Sequence, residues 1–113
     1  MAMTTVGAGS LNPLSAQHVH AEVKRSKESD GTCTRQFLTR HEFDTVRRLA
    51  ELIIPADKQG PSAAGTGAAE FIDLLCGQNN KLALIYAGGI GWLDARMRLD
   101  YGTTFVSASQ AQQ

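Results

Sequence analysis

Four side chains in the first part of the chain have the chemistry of transition-metal ligands: His18, His20, Cys33 and His41. Zinc takes imidazole nitrogen and thiolate sulfur in tetrahedral sets with short, regular spacings. The spacing here fits none of them, and no C-x-x-C-H haem attachment occurs. Glu70 and Asp73 stand three apart and can share a helix face. A catalytic carboxylate pair needs a pocket and opposed environments; nothing around these two marks one, so they read as solvated surface. Gly65-Thr66-Gly67 and Gly89-Ile90-Gly91 each begin as a dinucleotide-binding turn does. Neither follows a strand, and the sixth position holds Glu70 in one and Asp94 in the other. There is no Gly-x-Ser-x-Gly nucleophile elbow and no phosphate-binding P-loop. The residue types therefore point to no catalytic residue, no metal and no cofactor held by this chain.

The elements that carry these residues are helical. The clearest is residues 37–57, F-L-T-R-H-E-F-D-T-V-R-R-L-A-E-L-I-I-P-A-D. Thr39 followed by Glu42 is a capping box, in which each side chain satisfies a backbone N–H of the other end of the first turn. Leu38 before the cap and Phe43 after it have the spacing of a hydrophobic staple. Phe43, Val46, Leu49, Ala50 and Ile53 recur at helical spacing and predict one buried face. Asp44 with Arg48, and Arg47 with Glu51, are four apart and predict ion pairs on the wet side. Pro55 ends the run, because the residue before a proline is pushed out of helical geometry.

A loop with Gly60-Pro61 and Ser62 as turn residues follows, over residues 56–65. Thr66 then reads as an N-cap and Gly77 as a stop, with a short helix over residues 67–76 between them. Asn79-Asn80 opens a third helix. Its face is marked by Leu82, Ile85 or Tyr86, Gly89, Leu93 and Met97, and it ends near Tyr101-Gly102. Gly88, Gly89 and Gly91 lie inside it, and each costs roughly 1 kcal/mol against alanine in a helix interior. Three together make sense if another backbone lies close against that face, or if the helix bends there. Otherwise the segment is two shorter helices broken at Gly88-Gly89. Trp92, the lone tryptophan, reads as a core or interface anchor. Phe105 and Val106 can dock on the core, and Ser107 or Ser109 looks like the cap of a further helix, so the chain reads as C-terminally truncated.

Zero formal net charge gives no nucleic-acid or anionic-membrane footprint. No apolar run reaches the roughly 18 residues that span a bilayer. Two cysteines, Cys33 and Cys76, allow one bridge without implying it. Residues 1–34 are rich in Ser, Thr, Gly, Ala and mixed charge, too polar to offset the entropy of ordering, and predict a disordered tail. They carry no apolar signal core, and the one Arg-Arg pair, Arg47-Arg48, falls inside the first helix, so no export signal is read. The expected architecture is all-α: a domain over residues 35–113 with three helices and the start of a fourth.

Several landmarks in order resemble the gluconate 2-dehydrogenase subunit 3 family, the small subunit of membrane-associated flavin dehydrogenases. They are Phe37-Leu38-Thr39 with Glu42-Phe43, Leu52-Ile53-Ile54-Pro55-Ala56-Asp57, and the glycine-alanine loop over residues 60–67 followed by Glu70-Phe71-Ile72-Asp73. Tyr86 to Gly89 with Gly91-Trp92-Leu93-Asp94, and Tyr101-Gly102-Thr103-Thr104-Phe105, complete the set. The resemblance implies a non-catalytic accessory subunit that supports folding, export or stability of a large FAD-containing sugar or sugar-acid dehydrogenase subunit. A cytochrome c subunit carrying haem would take the electrons onward, and the complex would be periplasmic. Trp92, Tyr86, Gly88, Gly89 and Phe105 are the candidate partner-contact or packing residues. The alternative is a free-standing helical binding or regulatory module, cytoplasmic if it acts alone.

Overall fold

The computed structural model describes residues 37–113. Three helices follow one another: α1 (Arg40–Ile53), α2 (Ala68–Gln78) and α3 (Asn80–Tyr101). No strand occurs among the described residues, so the domain is all-α. The tail expected over residues 1–34, with His18, His20 and Cys33, lies outside the described residues.

α1 starts as its sequence dictates. The Glu42 N–H donates to Thr39 Oγ1 at 3.2 Å, and the Thr39 N–H donates to Glu42 Oε2 at 2.9 Å. Leu38 and Phe43 are both buried in one cluster with Val46, Ala69, Cys76, Ala83 and Ile90. Each large apolar side chain buried there contributes about 1.5–3 kcal/mol. The helix stops at Ile53, and Ile54, held before Pro55, has left helical geometry (φ −129°, ψ 84°). Two expectations for α1 fail. Ile53, the last residue of the helix, is exposed; the fully buried residues are Phe43, Thr45 and Val46 in the first two turns, and Leu49 and Ala50 are half-buried. The predicted ion pairs are also replaced. Arg40 pairs with Asp44 at 2.8 Å and Arg48 with Glu51 at 2.8 Å, while Arg48 Nε donates to Gln113 Oε1 at 2.6 Å. The C-terminal residue thus offers Arg48 a partner that local spacing does not reveal.

α2 begins and ends on residues other than those expected. Its N-cap is Gly67, in the left-handed region at φ 92°, where glycine meets no steric penalty. Thr66 turns its hydroxyl backward and donates to the Ala63 carbonyl at 2.8 Å. Gly77 continues the helix rather than ending it, and the break falls at Asn79. That residue is at once the C-cap of α2 and the N-cap of α3, with Oδ1 accepting the N–H groups of Lys81 and Leu82 at 3.0 and 3.2 Å. Leu74 and Leu75 form a second small cluster with Phe71 and Leu82.

α3 is continuous over 22 residues; the glycines neither break it nor divide it. Its buried stripe is Ala83, Ile90, Asp94 and Met97, with Tyr86 packed against the core and Ile85 exposed. It ends in a left-handed Gly102 at φ 71°, whose N–H donates to the Arg98 carbonyl. The chain then folds back, Phe105 is buried, and Ser109 opens a turn. The Ser109 N–H donates to Gln112 Oε1 at 3.1 Å, and the Gln112 N–H donates to the Ser109 carbonyl at 3.0 Å.

Candidate functional site

Two buried carboxylates, Asp73 and Asp94, organise the ends of the domain. Asp73, 2% exposed, is not the solvated surface residue expected. Its Oδ1 accepts the N–H groups of Phe37 at 3.0 Å and Leu38 at 2.6 Å, and so clasps the segment ahead of α1 onto α2. Glu70 is half-buried rather than fully exposed. The signal was present: Ala69, Asp73 and Cys76 are four and three apart, which places the carboxylate on the buried stripe of α2.

Asp94 does the same from α3. One oxygen accepts the buried Phe105 N–H at 3.0 Å, and the other meets His41 Nε2 at 2.5 Å. Burial alone would push the Asp94 carboxyl up. The hydrogen bonds from His41 and Phe105, with the charges of His41 and Arg98, outweigh burial and hold it below the usual carboxylate range. Gln113 closes the loop, its Nε2 donating to the Phe105 carbonyl at 2.8 Å while its Oε1 receives Arg48. His41, considered above as a metal ligand, is thus the partner of Asp94. Among the described residues no three of His, Cys, Asp and Glu come together as a metal cage; a set with His18, His20 and Cys33 lies outside them. Cys76 is fully buried, and burial first, then the charges of Asp73 and Glu42, push its thiol up, away from the reactive thiolate. Burial likewise raises the Tyr86 hydroxyl, with a smaller contribution from Cys76.

One feature open to solvent is apolar. A groove of about 310 Å³ runs between α1 and α3, lined by Leu49, Ile85, Tyr86, Gly89, Ile90, Trp92 and Leu93. Gly89 forms part of it as bare backbone. Beside it, on the side of α3 facing away from the core, Leu84, Ile85, Trp92 and Leu99 stand exposed. From Leu82 to Leu93 the helix carries no charged residue, and a helical stretch apolar all round is ordinarily covered all round. No other backbone among the described residues lies against the glycines. A Cβ built at Gly88, Gly89 or Gly91 meets nothing within 4 Å. They weaken α3 by roughly 1 kcal/mol each with no steric return among the described residues.

The residues singled out from sequence therefore fall into two groups. Tyr86, Gly89 and Trp92 come together at the groove, and Gly88 lies on the exposed side of α3 one residue away. Phe105 is separate, buried beneath the C-terminal turn. Leu84, Ile85 and Leu99 were missed as exposed residues. Their signal was that apolar residues occupy more of the α3 circumference than one buried stripe can use.

No helix among the described residues is long and apolar enough to cross a membrane. Comparison with curated proteins and with solved structures returns no match to this chain. The model of one protein family, gluconate 2-dehydrogenase subunit 3, matches residues 40–113, from the first residue of α1 through the Gln113 that ties the C-terminal turn to it. That span covers all three helices and well over half of the sequence, and the chain belongs to the gluconate 2-dehydrogenase subunit 3 family.

Proposed function

We propose that this chain is a non-catalytic accessory subunit of a flavin-dependent sugar or sugar-acid dehydrogenase, and that it supports the folding, export or stability of the large FAD-bearing subunit. In this reading FAD sits in that large subunit and haem c in a cytochrome c subunit, and the complex works in the periplasm. Family membership places the chain among the subunits of a dehydrogenase complex. The observation that carries the reading is α3, whose exposed side presents large apolar side chains to water while its buried side packs the core. A domain of about 75 residues buries only a modest share of its surface, and a second covered face on α3 would complete it.

The test is co-expression. The large dehydrogenase subunit is produced with and without the full chain, and soluble flavin-loaded protein and sugar-dependent dye reduction are measured. The expected result is a soluble, flavin-loaded large subunit that depends on this chain and co-purifies with it. Full yield and activity of the large subunit alone, with no co-purification, would overturn the proposal.

A further inference from the structure

α3 has two apolar faces and the core uses one. On the exposed side Leu84 is 75%, Ile85 66%, Trp92 69% and Leu99 83% exposed. At those exposures the four side chains leave on the order of 600 Å² of mainly apolar surface in water, at the upper end of what a free monomer carries. A standard interface takes about 800 Å² from each partner, so this stripe with the adjoining groove is the size of one side of a stable contact.

Its shape narrows the occupant. Gly89 leaves the groove open between Ile85 and Trp92, and a Cβ there would touch nothing among the described residues. Leu49 of α1 lines the same groove. A trough of this kind, walled by side chains and open over bare backbone, takes an amphipathic helix whose apolar residues recur every three or four positions. Charge narrows it further. No charged residue occurs from Leu82 to Leu93. Lys81 stands exposed at the head of α3, and no ion pair is formed by it among the described residues. At the other end Arg96 is already held by Asp100 at 2.8 Å.

We infer that the α1–α3 groove and the adjoining exposed stripe of α3 are the surface on which the large dehydrogenase subunit docks, through an apolar-faced helix seated between Ile85 and Trp92 over Gly89 with a carboxylate opposite Lys81. This rests on the accessory-subunit reading above and adds to it the face and the chemistry of the contact. The glycines then leave room for a helix that belongs to the partner.

The experiment uses the tagged full chain co-expressed with the large subunit, and reads the flavin-bearing protein retained on the tag. Gly89→Leu fills the groove, Gly89→Ala fills it partly, and Trp92→Asp places a charge in its wall; Lys58→Ala, in the loop after α1, is the control. Circular dichroism checks that each variant is helical and melts cooperatively. The expected result is retention by the unaltered chain and the control, a loss of about tenfold or more for Gly89→Leu and Trp92→Asp, equivalent to about 1.4 kcal/mol, and a smaller loss for Gly89→Ala. Equal retention of folded variants overturns this docking face and leaves the accessory reading standing. Failure of the unaltered chain to retain the large subunit overturns both. A dimer of the chain alone that Gly89→Leu dissociates, with unchanged retention of the large subunit, assigns the face to a second copy and overturns the inference.

Discussion

Replacing Asp94 by alanine removes a side chain that ties α3 to both the start of α1 and the C-terminal turn. The Phe105 N–H, buried and donating to Asp94 at 3.0 Å, is left without that acceptor, which costs about 1–3 kcal/mol. The contact with His41 is lost as well, and a hydrogen bond to a charged group is worth about 1.5–3 kcal/mol. The two losses share one side chain and do not add fully, so the expected destabilisation is about 3 kcal/mol. Against the roughly 5–15 kcal/mol of a typical domain this is a large fraction for so small a core. Asp94→Asn keeps an oxygen for Phe105 and loses the charge, and should cost about 1 kcal/mol. Urea unfolding of the full chain, followed by circular dichroism, measures both.

The pH dependence has a definite sign. The folded Asp94 carboxyl lies below its ordinary value, so its stabilisation is fully present above the unfolded carboxyl value of about 3.9. It declines as pH falls below that value and is gone once pH has passed through the folded one, because the unfolded chain takes up the proton first. The gap between the unaltered chain and Asp94→Asn should therefore narrow on going from neutral pH to about pH 3. An alanine variant within about 0.5 kcal/mol of the unaltered chain, or a gap indifferent to pH over that range, refutes the assignment of Asp94 as the central tie.

Three further outcomes follow from the same geometry. Asp73→Ala strips the acceptor from two backbone N–H groups at once; it should cost about 2–4 kcal/mol, and amide hydrogen exchange should show Phe37 and Leu38 losing protection first. Gly88→Ala should stabilise the isolated chain by roughly 0.5–1 kcal/mol, since its Cβ enters open space in a helix. Gly102→Ala should destabilise it by about 1 kcal/mol because φ there is +71°; thermal melts of the pair should move in opposite directions. Thr39→Ala removes half of the capping box and should lower stability by about 1 kcal/mol, which urea titration reads directly.

What local chemistry governs was legible in the residues. Thr39 and Glu42 cap α1, Pro55 closes it, Asn79 opens α3 and Gly102 ends it, because each of these signals acts within one turn of backbone. The single 3.6-residue period carried the all-α reading, and the ordered landmarks carried the family. What needed the tertiary structure was every statement about what lies opposite a residue. Asp73 looks like a surface carboxylate, and nothing in the spacing gives Asp94 a partner, until the backbone N–H groups of Phe37, Leu38 and Phe105 are brought to them from 36, 35 and 11 residues away. Arg48 looks committed to its own helix until Gln113, 65 residues on, arrives beside it. The glycines of α3 point to close approach of a backbone or to a bend, and periodicity does not choose; the packed domain has a continuous helix with no other described residue against them. Sequence spacing records which side chains share a face, and the meeting of two faces depends on how the helices cross, a property of the whole chain that no one segment contains.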